Sequence, residues 1–176
     1  MRRPVPILQA PLRLARDTRG ATAVEFALVL PLFLALVFSI FEAGWMMTQT
    51  IMQDGALNRI VRQLRISDNA AISADELKQR ICAQAMVFTD CKTQTRVELV
   101  ALRSPTDTIP DTAAGCVHRG TVPPYRAGER SELMFVRVCT SVRPITPMLG
   151  LAVALPEAGT GAYGIVSYAA FVNEPQ

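Results

Sequence analysis

Residues 26–41 read FALVLPLFLALVFSIF, sixteen consecutive positions without a charge. Extended back to Ala21, the run has 21 residues and is interrupted only by Glu25. At about 1.5 Å rise per residue, a helix of that length spans roughly 31 Å, the hydrocarbon thickness of a bilayer. Pro31 lies inside the run. It would break a soluble helix, whereas a membrane helix tolerates the kink. Trp45 follows the run, where an amphipathic ring suits a membrane–water interface. Two other readings compete. A secretory signal has a shorter apolar region and a small-x-small cleavage site, and Phe41-Glu42-Ala43-Gly44-Trp45 is a poor one. A buried core helix this apolar would need a larger domain around it.

Outside the run, the chain has 176 residues, room for one small domain with an appendage. Half of it is hydrophobic, 19% is charged and the mean hydropathy is +0.25, too apolar for disorder. The net charge of +3 is unevenly placed. Residues 1–20 carry five arginines and one aspartate, and the remainder carries 13 basic and 14 acidic residues. The balance therefore argues against a nucleic-acid-binding domain with a general basic surface. Size excludes multidomain enzymes, long repeats and polytopic transporters. Arg2, Arg3, Arg13, Arg16 and Arg19 all precede the apolar run. The positive-inside rule then puts the N-terminus in the cytoplasm and everything after about residue 45 across the membrane.

Glu25 is the odd residue. A carboxylate inside a spanning segment costs on the order of 2.5 kcal/mol at mid-bilayer and less near its edge. Either it snorkels to water from one turn inside, or it has a partner. Its context is Arg19-Gly20-Ala21-Thr22-Ala23-Val24-Glu25-Phe26, with Gly20 at the border of basic leader and apolar run. This arrangement resembles type IV pilins and pseudopilins. Their basic leader is cut by a prepilin peptidase after a glycine, leaving a glutamate at the fifth mature position. The longer pattern Gly20-x4-Glu25-Phe26-Ala27-Leu28-Val29-Leu30-Pro31 is similar to the TadE-like pseudopilins of the tight-adherence (Flp) pilus system. The detailed resemblance covers residues 17–60. Glu25-Phe26 in place of Glu-Tyr, and the long C-terminal region, favour a minor pseudopilin of the TadE or TadF kind over the filament subunit. The resemblance implies cleavage between Gly20 and Ala21, with residues 1–20 as the leader. It also implies that Glu25 pairs with the new Ala21 amine, its own or a neighbour's, to align one apolar helix against the next. The implied partners are a prepilin peptidase, inner-membrane Tad assembly proteins and the Flp pilin or other pseudopilins.

The helix continues past the membrane, over residues 21–66. Leu57, Ile60, Val61 and Leu64 share one face, while Arg59, Arg62 and Arg65 lie on another and read as solvated. Ser67-Asp68-Asn69 reads as its stop. Ser73-Ala74-Asp75-Glu76 is a capping box that opens a second helix, with Leu77, Ile81, Ala85 and Phe88 on its buried face. Strands are expected around Val97, Leu99 and Ala101, over Met134–Val142, and over Gly164–Val172. Residues 103–130, with Pro105, Pro110, Pro123 and Pro124, read as a long surface loop. Within residues 144–156, Met148–Leu155 are apolar or glycine, too short a run to span. They read as a buried connection, or as a patch touching the bilayer or another pilin. Gly159-Thr160-Gly161 reads as a turn.

Cys82, Cys91, Cys116 and Cys139 all follow the apolar run, on the oxidising side if the orientation holds. Three pairings are possible, and we favour Cys82–Cys91 with Cys116–Cys139. No pair has zinc or redox spacing, and His118 is the single histidine, so neither metal nor cofactor is expected. Nothing around His118 marks a nucleophile, and no enzymatic activity is expected. The reading is an α+β protein of the bacterial inner membrane. One helix, spanning over about residues 21–45 with Phe26, Pro31, Phe41 and Trp45 along it, carries a periplasmic domain over 67–176. That domain has a second helix and about three antiparallel strands. The alternatives are a signal-anchored periplasmic binding module unrelated to pili and a secreted enzyme dependent on His118.

Overall fold

The computed structural model describes residues 20–66, 72–104, 107, 109, 116, 124–126, 128–129, 131–147, 151, 154 and 161–172. The basic leader, the Ser67–Asn69 stop, His118, Gly159 and Thr160 lie outside the described residues. Helix α1 runs Ala21–Ile66 without interruption at Pro31. At about 1.5 Å per residue it is roughly 70 Å long, more than twice a bilayer's hydrocarbon thickness. Its first half stands clear of the domain, with Val24, Leu28 and Leu32 all largely exposed. Its second half is the domain's spine. Ala56, Leu57, Ile60 and Leu64 are buried at three- and four-residue spacing, and each large apolar side chain so buried contributes about 1.5–3 kcal/mol.

Helix α2 spans Ala74–Gln84. The Ser73 hydroxyl accepts from the Glu76 backbone N–H at 3.2 Å, while the Glu76 carboxylate accepts from Arg80 at 2.7 Å. Leu77 and Ile81 are its buried residues. Ala85 caps the helix, so Phe88 lies beyond it in the following turn, packed against the core from outside the helical face. A one-turn helix, α3 (Cys91–Gln94), leads into β1 (Thr95–Leu102). Strands β2 (Leu133–Val142) and β3 (Tyr163–Val172) complete an antiparallel sheet in the order β1-β2-β3.

The register pairs Val97 with Val138, Leu99 with Val136, and Met134 with Phe171, so these side chains share the face that meets α1 and α2. The opposite face is also covered at its centre. Arg137 donates to Glu98 at 3.1 Å, with their side chains only 3% and 14% exposed. Beside them Phe135 stacks on Tyr168 at 6.3 Å between ring centroids. The 103–130 segment is not loop throughout. Leu99 N–H donates to Pro124 O at 3.0 Å and Arg126 N–H to Leu99 O at 2.9 Å, so residues 124–126 line the β1 edge. The Tyr125 hydroxyl reaches back to Ile72 O at 2.7 Å. The cysteines pair as Cys82–Cys91 and Cys116–Cys139, with Cα separations of 5.7 and 5.2 Å. The first joins α2 to α3, and the second holds Cys116 against the outer face of β2.

Candidate functional site

The site is helix α1, whose residues divide into three working surfaces. At the N-terminal end, Gly20 meets no heavy atom within 4 Å where a Cβ would stand. Ala21 opens the helix, and Glu25 lies four residues on, one turn away on the same face. Both are exposed. A free amine at Ala21 would add its charge to the helix N-terminus, and a carboxylate one turn away is the favourable counter-charge. Phe26 and Phe41 are exposed along the free half of the helix, and Trp45 is partly covered.

The second surface faces the domain and is unexpectedly polar. Glu42, Gln49 and Gln53 are 1%, 3% and 0% exposed. They lie in one stripe with Ala56, Leu57, Ile60 and Leu64, since positions seven, four and three apart share a helical face. Glu42 accepts four hydrogen bonds from the β2–β3 connection. Ile145 N–H lies 2.9 and 3.2 Å from its two oxygens, Thr146 N–H at 3.2 Å and the Thr146 hydroxyl at 3.3 Å. One turn earlier, the Ser39 hydroxyl donates to Ala35 O at 2.7 Å and accepts from Leu151 N–H at 3.1 Å. Gln53 Nε2 donates towards Val138 O, Ile165 O and the Ser167 hydroxyl at 3.1–3.2 Å, bridging β2 and β3. The Tyr163 hydroxyl donates to Gln49 Oε1 at 3.1 Å. Burial, and then the nearby Glu42 charge, push the Tyr163 hydroxyl up to about 12. None of these four polar anchors stands out in the sequence as structural. A search for buried positions that admitted polar residues would have found the 42-49-53-60-64 spacing.

The third surface points away from the domain. Ile40, Met47 and Ile51 are 63%, 62% and 69% exposed. With Gly44 and Gly55 they form a stripe opposite Glu42 and Gln53. It prolongs the apolar surface of the free half by two to three turns past Phe41. Arg59, Arg62 and Arg65 are exposed beyond its end. Among the described residues, no group of three or more His, Cys, Asp or Glu gathers to hold a metal ion.

Among the described residues, one helix is long and apolar enough to cross a membrane, and it lies near the N-terminus, as in a single-pass membrane protein. The family model of TadE-like proteins matches residues 20–58. The match begins at Gly20 and takes in Glu25, the apolar run, Glu42 and Gln53, under a quarter of the chain. It agrees with the resemblance carried by Gly20 and Glu25 and associates this segment with Tad pilus systems. No curated protein and no solved structure matches the chain.

Proposed function

We propose that this protein is a minor pseudopilin that takes part in assembling a Flp-type pilus for surface attachment. In this reading the chain is inserted with residues 1–20 in the cytoplasm, and a prepilin peptidase cuts between Gly20 and Ala21. The mature helix then packs laterally against a pilin or another pseudopilin, with inner-membrane Tad proteins as the assembly machinery. The observation that carries the reading is the exposed Ile40–Met47–Ile51 stripe on a helix whose other face is committed to the domain. An apolar helix face continued beyond the membrane run is costly in water and is relieved by a second helix. The two small residues in the stripe, Gly44 and Gly55, have open space around them for close approach. Glu25 sets the axial position. Unpaired near the edge of the apolar segment it costs less than the ~2.5 kcal/mol of mid-bilayer but still disfavours insertion, and pairing with the Ala21 amine of its own or a neighbouring chain offsets that cost.

The direct test is the N-terminus of the protein in its native membranes, read by intact mass. A chain beginning at Ala21 supports the reading. A chain still beginning at Met1 in cells that contain a Tad-type prepilin peptidase, or one cut near residues 43–45, would remove its basis. Glu25→Ala is expected to leave insertion intact and to abolish pilus-dependent attachment.

A further inference from the structure

We propose that the described part of the β2–β3 connection, Ile145, Thr146 and Leu151, forms a membrane-seated foot. Glu42 and Ser39 hold it against α1 so that Ile145, with Phe41 and Trp45, rests in the outer leaflet of the bilayer that α1 crosses. This rests on the spanning reading of α1, and the occupant of the surface is lipid. Three observations carry it.

The first is axial level. Ser39 lies 18 residues after Ala21, so it stands about 27 Å along the helix, within the roughly 30 Å of a hydrocarbon core. Leu151 N–H bonds to Ser39 there, and Ile145 and Thr146 bond to Glu42 less than one turn further out. Ile145, Thr146 and Leu151 therefore lie at the border of the apolar zone. The second is how its backbone is satisfied. Lipid offers no hydrogen bonds, so backbone donors at this level need partners within the protein. Ile145 and Thr146 N–H have Glu42, Leu151 N–H has Ser39, and Ala154 N–H donates to Leu151 O at 2.9 Å. Glu42 is the acid at this level, and it is 1% exposed. The third is what the surface shows. Ile145 and Phe41 are 57% and 68% exposed, and an apolar groove runs between them, lined also by Phe38, Ile40 and Trp45. Arg143, which follows β2, is exposed and lines a second cavity that shares Trp45 with this groove, where it suits a headgroup phosphate. The continuity of this surface with the apolar helix argues for lipid as its occupant.

The test uses the full chain in vesicles of phosphatidylethanolamine and phosphatidylglycerol. Trp45 is the only tryptophan, so a Trp45→Phe background accepts single reporters. Three are compared: Ile145→Trp at the foot, Phe33→Trp within the apolar run, and Tyr168→Trp on the outer face of the sheet. Intact mass with both disulfides formed certifies each fold. Brominated lipid is expected to quench the position-145 reporter at least about twofold more than the position-168 reporter, and acrylamide about twofold less, if it lies at the hydrocarbon border. Free quenching of position 145 by acrylamide, with none by brominated lipid, would overturn the foot. Shielding from both would also overturn it and would assign the surface to a protein partner. If the position-33 reporter is also untouched by brominated lipid, the spanning reading itself fails. If position 33 is quenched and position 145 is not, only the foot fails.

Discussion

Burial of Glu42 is affordable because three donors, the Ile145 and Thr146 N–H groups and the Thr146 hydroxyl, converge on its carboxylate, and the same fact makes the position intolerant. Glu42→Gln keeps the shape but turns an NH2 group towards donors. A buried donor left without an acceptor costs about 1–3 kcal/mol. We expect faster amide exchange at Ile145 and Thr146 by mass spectrometry, and unchanged protection there would show that the carboxylate does not hold the connection. Burial, rather than distance, also ranks the ion pairs. Arg80–Glu76 is the shorter at 2.7 Å, but both side chains are exposed. Arg137–Glu98 at 3.1 Å is almost fully covered. Arg80→Ala should therefore cost under about 0.5 kcal/mol, whereas Glu98→Ala leaves a guanidinium under cover and should cost about 3 kcal/mol in chemical denaturation. Tyr163 provides a pH test. Its folded-state hydroxyl is raised to about 12, so the folded state keeps a proton that the unfolded state loses from about pH 10. The stability associated with this group is thus complete below about pH 10 and declines as the pH rises towards 12. The 295 nm absorbance difference between wild type and Tyr163→Phe should titrate near 12. A midpoint near 10 would mean that the hydroxyl is not buried beside Glu42.

At the level of elements, what could be read from the residues was what rests on local pattern. The apolar run and the Leu57–Leu64 spacing define α1, Ser73 and Glu76 start α2, and alternation marks two strands while aromatic and β-branched composition marks the third, each to within a residue or two. The exceptions share one cause. Phe88 fits the helical spacing of α2, yet the chain turns at Ala85. Gln53 and Glu42 carry no local signal of burial because their partners lie 85 to 114 positions away in sequence. Local pattern carries no information on acceptors that only the folded sheet and its connection supply. Arg137 lies on the opposite face of β2 from Val136 and Val138, and Glu98 pairs with it under cover there. The two disulfides close loops with sequence separations of 9 and 23. Chain entropy then assigns them about 2.5 and about 3.5 kcal/mol. Serine replacement of Cys116 and Cys139 together should accordingly lower the denaturation midpoint more than that of Cys82 and Cys91. The reverse order would mean that contacts made by α3, rather than loop closure, dominate.

The whole molecule is one rod with different tasks along its length. Apart from Thr22 and Glu25 near its start, the free half is apolar all round, the middle turns carry the polar anchors, and the last turns form the domain's core. This division sets where the chain can be shortened. Apolar packing in the core starts at Ala56, so a chain beginning at residue 40 retains every buried residue of α1, including Glu42. It should fold with both disulfides and be soluble without detergent. A chain beginning at residue 48 retains the same apolar core and Gln53 but loses Glu42. The Ile145 and Thr146 donors then depend on water, and Tyr163 loses a charged neighbour. We expect the shorter chain to fold, because Leu57, Ile60 and Leu64 still meet the sheet, but to be about 2–4 kcal/mol less stable in urea. Its β2–β3 connection should exchange amide protons close to the unfolded rate. Equal stability of the two chains would mean that the connection is held by the sheet alone, so that α1 does not fix its position. A difference confined to that connection would show that the turns at the membrane border form the junction between rod and domain.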